Sequence, residues 1–142
     1  MSDPVRLAEI IAAHQGREGP LLPILHDVQA AFGHVGVDAV RAIAQGLNLT
    51  RAEVHGVVSF YHDFRTAPQS LPVLKLCRAE ACQSRGSEAL AARAEVMAAG
   101  KVAIEPVYCL GLCSVGPAAL AGDRPHARLD EARLANLIGG LA

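Results

Sequence analysis

Four cysteines in two close pairs constrain this chain more than any other feature of its sequence. Cys77 and Cys82 lie in KLCRAEACQSRG and Cys109 and Cys113 in YCLGLCSVGP, so the pattern is C-x4-C-x26-C-x3-C with no cysteine left over. Either the four form two disulfides, or the fold returns the chain to one place after the spacer and gathers four sulfurs there. The start, MSDPVRLAEI, has neither a basic segment followed by an apolar one nor an Arg- and Ser-rich character, so no targeting segment is expected. The expected setting is a bacterial-type cytoplasm, where paired cysteines hold metals or do redox chemistry more often than they form structural disulfides.

A chain of 142 residues with 51% apolar content can bury a core without disulfide staples. No apolar run approaches the roughly 18 residues of a membrane helix, so membrane insertion is not expected. Thirteen basic residues against fourteen acidic ones leave a net charge of −1 and no electrostatic footprint for nucleic acid.

The sequence pattern changes near residue 66. Before it, Val5, Leu7, Ile10 and Ile11 recur at helical spacing; Leu21, Leu22, Leu25, Val28 and Phe32 do so again up to Gly33; Val37, Val40, Ile43, Ala44 and Leu47 form a third run. Thr50-Arg-Ala-Glu53 reads as a capping box that opens a fourth helix carrying Val54, Val57, Val58, Tyr61 and Phe64 on one face. Residues 1–66 are thus expected to form an N-terminal helical bundle. The joint is TAPQSLP, and residues 72–142 follow a different pattern: LPVLKLC and KVAIEPVYC as strands, SRGSEALAARAEVMAAG as a helix between them, AALAG and RPHARL as a hairpin, and DEARLANLIGGL as a last helix with Asp130 as its N-cap. The order β-α-β-β-α points to a small α/β layer of the thioredoxin kind.

In that layer a helix and a strand of similar length carry the chain out and back. Cys77 and Cys109 then finish at the same edge of neighbouring parallel strands, and all four sulfurs converge beyond the carboxyl ends of the strands, where open α/β sheets place their ligands. Four thiolates suit either zinc or an iron–sulfur cluster. Zinc sites favour C-x2-C knuckles, whereas spacers of four and three residues fit a two-iron rhomb with one pair on each iron. Gly111 supplies a positive φ beside the site, Leu110, Leu112 and Val115 can shield the sulfurs, and Arg78 and Arg85 can offset negative charge. Pro117 is expected close to the cysteine loop and just before a strand, where it can end the loop without leaving a buried N–H unpaired.

CRAEACQSRG with CLGLCSVGP, preceded by LLPILHDVQAAFGHV and HGVVSFYHDF, resembles the thioredoxin-like [2Fe-2S] ferredoxin family, which includes the E-type small component of NADH-quinone oxidoreductase and relatives in NAD-linked hydrogenases and formate dehydrogenases. Within it, HDFR, KLCRAEACQ and YCLGLC are most similar to the gamma subunit of NAD-dependent formate dehydrogenase. The resemblance implies an α/β thioredoxin-like domain with an N-terminal helical bundle and a [2Fe-2S] cluster on Cys77, Cys82, Cys109 and Cys113. It also implies one-electron transfer beside a flavin (FMN) and NAD-binding subunit, with no catalytic residues of its own. A homodimer of the isolated chain is compatible with it. The segment from Gln83 to Tyr108 is shorter than the family pattern, although the geometry above still lets the pairs meet.

Other readings are weaker. No C-x-x-C exists for a thioredoxin-type oxidoreductase. The histidines are scattered without Rieske spacing, and His26-Asp27 and His62-Asp63 are neighbours that cannot face each other on a helix. Phe32, Phe60, Tyr61 and Phe64 fit a helical core or a docking face. No Gly-rich phosphate loop is present, so NAD and flavin are expected on other chains. A zinc-stabilised interaction module is the alternative from a different class.

Overall fold

The structure, a computed structural model, describes residues 1–142. Its backbone divides into two compact units, Met1–Gln69 and Ser70–Ala142. No helix is long and apolar enough to cross a membrane.

The first unit holds four helices, α1 (Pro4–Ala13), α2 (Leu21–Phe32), α3 (Val37–Leu47) and α4 (Arg51–Phe60). Local chemistry sets their ends. Asp3 caps α1 by accepting the Val5 N–H, with Pro4 at the first position, where its missing donor costs nothing. Helix α2 stops at Gly33 with φ 75°, and α3 stops at Asn48, also left-handed. At α4 the Glu53 N–H donates to the Thr50 hydroxyl at 3.2 Å and the Thr50 N–H to the Glu53 carboxylate at 2.7 Å, completing the capping box.

Leu7, Ile10, Ile24, Leu25, Ile43 and Val54 are among the buried side chains that make this unit's core. Val5 and Val37 fall outside it although the periodicity counted them, because each stands in the first turn of its helix, ahead of the buried stripe. Tyr61 and Phe64 do not extend the face of α4, since the helix ends at Phe60. Instead the Gln29 amide clamps the following segment onto α2, donating to the Asp63 carbonyl and accepting the Arg65 N–H at 2.6 and 2.7 Å. That clamp delivers Phe64 into the core at 7% exposure and leaves Phe60 at 72% outside.

The second unit contains β1 (Val73–Cys77), a short helix α5 (Glu80–Gln83), α6 (Ser87–Ala98), β2 (Ala103–Val107), a 3₁₀ turn (Cys113–Val115), β3 (Ala119–Ala121), β4 (Arg124–His126) and α7 (Glu131–Leu141). The sheet order is β2-β1-β3-β4; β1 and β2 are parallel and the other pairings antiparallel. The hairpin β3–β4 turns at Gly122, with φ 62°, followed by Asp123.

Alternation along β1 separates two environments. Leu74 and Leu76 join the core made with Leu90 and Ala94 of α6 and Leu134 and Ile138 of α7. Cys77 packs in a separate cluster with Cys82 and Ala118. The alanines of α6 present small side chains to that core, with Ala94 and Ala98 fully or almost fully buried. Asp130 caps α7 by accepting the Arg133 N–H at 2.8 Å.

Candidate metal centre

The register brings Cys77 opposite Val107, so both strands end level and each releases its cysteine loop at the same edge of the sheet. Cys77 is the last residue of β1, and Cys82 is carried back toward it by α5, a helix too short to leave a periodic signal in the sequence. Cys109 follows β2 with φ 89° and Gly111 with φ 75°, and this double left-handed passage turns the chain tightly enough for the 3₁₀ turn to return Cys113. Cys109 Sγ and Cys113 Sγ stand 3.5 Å apart, close to the about 3.8 Å expected of two thiolates bound tetrahedrally to one metal at about 2.3 Å.

Hydrogen bonds and charge tie the two loops together. Burial pushes the Cys77 thiol up, but the N–H groups of Ala79, Cys109 and Leu110 and the thiol of Cys82 outweigh it, and Cys77 lies below the ordinary thiol range. The two loops are joined at their roots, where the Arg78 N–H donates to the Val107 carbonyl at 2.8 Å. Cys82 is pushed up, first by burial, then by its bond to Cys77 and the nearby charges of Cys77 and Cys113, with the Ala118 N–H acting the other way. Cys113 is also raised, chiefly by its bond to Cys109 and that sulfur's charge. Thiols raised by the charge of neighbouring sulfurs mark a repulsion that a bound cation relieves.

All four cysteines are free thiols, so the two-disulfide arrangement is not formed. The outer sulfurs, Cys109 and Cys113, form one close pair, and the inner cysteines, Cys77 and Cys82, pack in one cluster. The inner pair, Cys77 and Cys82, is 2% exposed, whereas Cys109 and Cys113 are exposed. Leu110 and Leu112 pack against the inner pair, as their positions in the sequence imply.

One sequence expectation about the surroundings needs adjusting. Arg78 does not face the sulfurs freely: its guanidinium makes a two-point ion pair with Glu88 of α6. Arg85 does run beside the inner pair, since a Cβ placed on Gly116 would sit 2.9 Å from Cys82 Sγ and 3.6 Å from Arg85 Cδ. Pro117 directly precedes β3 after a cis peptide bond, and the Cys77 N–H donates to the Ala118 carbonyl at 2.9 Å, which places the proline beside the cysteine loops. Sequence reasoning missed His14, whose ring nitrogen lies 2.6 Å from Asp27; that pair joins α1 to α2 and belongs to the helical unit.

A four-stranded mixed sheet with helices on one face and two cysteine loops at the carboxyl end of its parallel strands defines a small α/β redox-type domain. Comparison with known proteins makes the class specific. Residues 7–142 match the model of the thioredoxin-like [2Fe-2S] ferredoxin family, and the chain belongs to that family, whose members carry a [2Fe-2S] cluster. It is 30% identical over 137 residues to NADH-quinone oxidoreductase subunit 2 of Thermus thermophilus, covering 89% of this chain and 76% of the relative. It is 23% identical over 141 residues to the NADP-reducing hydrogenase subunit HndA of Solidesulfovibrio fructosivorans, covering 93% and 82%. Among solved structures, an air-oxidized NAD+-reducing [NiFe]-hydrogenase superposes with a TM-score of 0.73 at 25% identity over 85% of this chain, which spans 22% of that longer chain. The fold class expected from the sequence, thioredoxin-like with helices ahead of it, is the one observed.

Proposed function

We propose that Cys77, Cys82, Cys109 and Cys113 hold the [2Fe-2S] cluster and that the chain is the small electron-transfer subunit of an NAD-dependent formate dehydrogenase, beside the FMN- and NAD-binding subunit. The observation that carries the ligand assignment is the meeting of the two cysteine loops at one edge of the sheet, where Cys77 stands opposite Val107, the Arg78 N–H donates to the Val107 carbonyl at 2.8 Å, and Cys109 Sγ and Cys113 Sγ stand 3.5 Å apart. When bound, the cluster accepts or gives one electron at a time. This chain's own residues hold it and control its surroundings. Leu110 and Leu112 keep water from the inner sulfurs, the N–H groups of Ala79, Cys109 and Leu110 favour negative charge on Cys77, and Gly111 donates to Cys109 Sγ at 3.4 Å. Partner chains supply the nicotinamide and formate chemistry, because no Gly-rich phosphate loop occurs in this sequence.

The formate assignment rests on the wording HDFR, KLCRAEACQ and YCLGLC. A second reading, an equivalent subunit of an NADH-quinone oxidoreductase or an NAD-linked hydrogenase, is favoured by the relatives named above. Isolating the native complex through a tag on this chain separates the two. NAD+ reduction driven by formate, with formate-dependent bleaching of the flavin in the co-purified subunit, supports the first; activity with H2 or a quinone instead supports the second.

A further inference from the structure

The two cysteine pairs are unequal, and the surface around the outer one is charged in a particular way. Cys109 and Cys113 are exposed while Cys77 and Cys82 are sealed, so the short route for an electron between this chain and another molecule crosses the outer edge. Three arginines lie on segments that adjoin the cysteine loops. The Arg85 stem lies against the Gly116 turn beside Cys82. The Arg128 N–H donates to the Val115 carbonyl at 2.7 Å, which fixes Arg128 to the 3₁₀ turn that carries Cys113. Arg133 Nη1 donates to the Arg128 carbonyl at 3.1 Å, so a second guanidinium sits at the same bend.

All three are exposed and none joins an ion pair. Glu88 pairs with Arg78 and Glu131 with Arg93, while Asp130 caps α7 by accepting the Arg133 N–H. On the cysteine loops themselves, residues 77–85 and 107–117, Glu80 is the only acidic side chain. A chain with net charge −1 thus keeps three arginines without ion pairs beside its cysteine loops.

We infer that this rim, Arg85, Arg128 and Arg133 around the exposed Cys109–Cys113 edge, is the docking face for an electron-transfer partner whose contact surface is rich in carboxylates. The inference rests on the electron-transfer reading above and specifies the chemistry of its partner. Like charges across such a face exclude wrong partners, and opposite charges speed and orient the right one. The competing role for the arginines, simple neutralisation of cluster charge, would alter the reduction potential without selecting between reagents by sign.

The test uses the full chain with its cluster, reduced and then oxidised anaerobically by hexacyanoferrate(III) or by hexaammineruthenium(III). Each reagent takes one electron from the reduced protein and becomes the corresponding iron(II) or ruthenium(II) complex, with no bond or proton exchanged. Arg85→Gln and Arg128→Gln should each slow the anionic reagent about three-fold at roughly 0.01 M ionic strength and speed the cationic one by a similar factor. Both effects should fade near 1 M salt, and the Lys variants should keep the wild-type rates. Glu80→Gln, whose side chain makes no hydrogen bond, should do the reverse and serves if an arginine variant loses its visible spectrum. Equal changes with both reagents, after correction for any shift in potential, or no change at all, would overturn the docking face. A protein that binds no iron overturns the electron-transfer reading itself, and the rim with it.

Discussion

Gly116→Ala separates the demands of the metal site from those of the fold. Gly116 has φ −66° and ψ 167°, values open to any residue, so alanine meets no backbone strain there. Its methyl carbon would lie 2.9 Å from Cys82 Sγ, about 0.5 Å inside the 3.4 Å where ordinary contact begins, and 3.7 Å from Cys82 Cα. In the metal-free chain the thiol relieves this by rotating about one bond, so overpacking should cost no more than about 1 kcal/mol, the lower end for such substitutions. A ligating sulfur has no such freedom, because metal–sulfur distances tolerate only about 0.2 Å. The variant should therefore keep the far-UV dichroism of the metal-free protein, with its thermal midpoint lowered by no more than about 5 °C, while retaining less than about a tenth of wild-type iron after desalting. Gly111→Ala is the control: nothing lies within 4 Å of the added carbon, but φ is +75°, so it should cost about 1 kcal/mol in folding and keep its iron. Full iron in Gly116→Ala, or an unfolded metal-free variant, would refute this reasoning.

Three further outcomes follow from the helices and their caps. The Asp38 carboxyl lies below its ordinary pKa, chiefly because the Ser2 N–H donates to it at 2.6 Å, so its contribution is present above about pH 4 and is lost as pH falls through the lowered value. Asp38→Asn should cost about 1 kcal/mol at pH 7 and flatten the fall in stability between about pH 5 and 3; urea unfolding at both ends checks it, and parallel curves would contradict it. Thr50→Ala removes the cap of α4 and should cost about 1 kcal/mol, seen as faster amide exchange in residues 51–54. Leu134→Ala empties a fully buried position between α7 and the sheet and should cost about 2–5 kcal/mol, read from denaturant unfolding of the second unit.

Much of this arrangement was legible in the sequence because its signals are local. The Thr50–Glu53 box, Asp130 at the start of α7, Gly33 at the end of α2 and the positive φ of Gly111 each follow from one or two residues. The approach of the cysteine pairs followed from the lengths of the elements between them. What stayed hidden depends on long-range partners. Phe64 enters the core because Gln29, far back in α2, clamps the chain beside it, and no periodicity records that. Arg78 turns from the sulfurs to Glu88 because α6 begins close enough to the end of β1 to set the carboxylate within reach. Helix α5 is four residues long, less than one amphipathic repeat, so the position of Cys82 was readable only as a spacing. The inequality between sealed and exposed cysteine pairs depends on how β3 and the 3₁₀ turn close over the inner pair, with Ala118 packed in the same cluster as both of its cysteines.

The central claim, a [2Fe-2S] cluster held by two cysteine pairs, is tested most directly by chemical analysis and EPR of protein purified without oxygen. About two irons and two acid-labile sulfides per chain are expected, with a brown colour and, after reduction by dithionite, a spin-½ signal with mean g below 2. Replacing any one of Cys77, Cys82, Cys109 and Cys113 by alanine should lower both contents together. A colourless protein with one zinc and no sulfide would contradict the account.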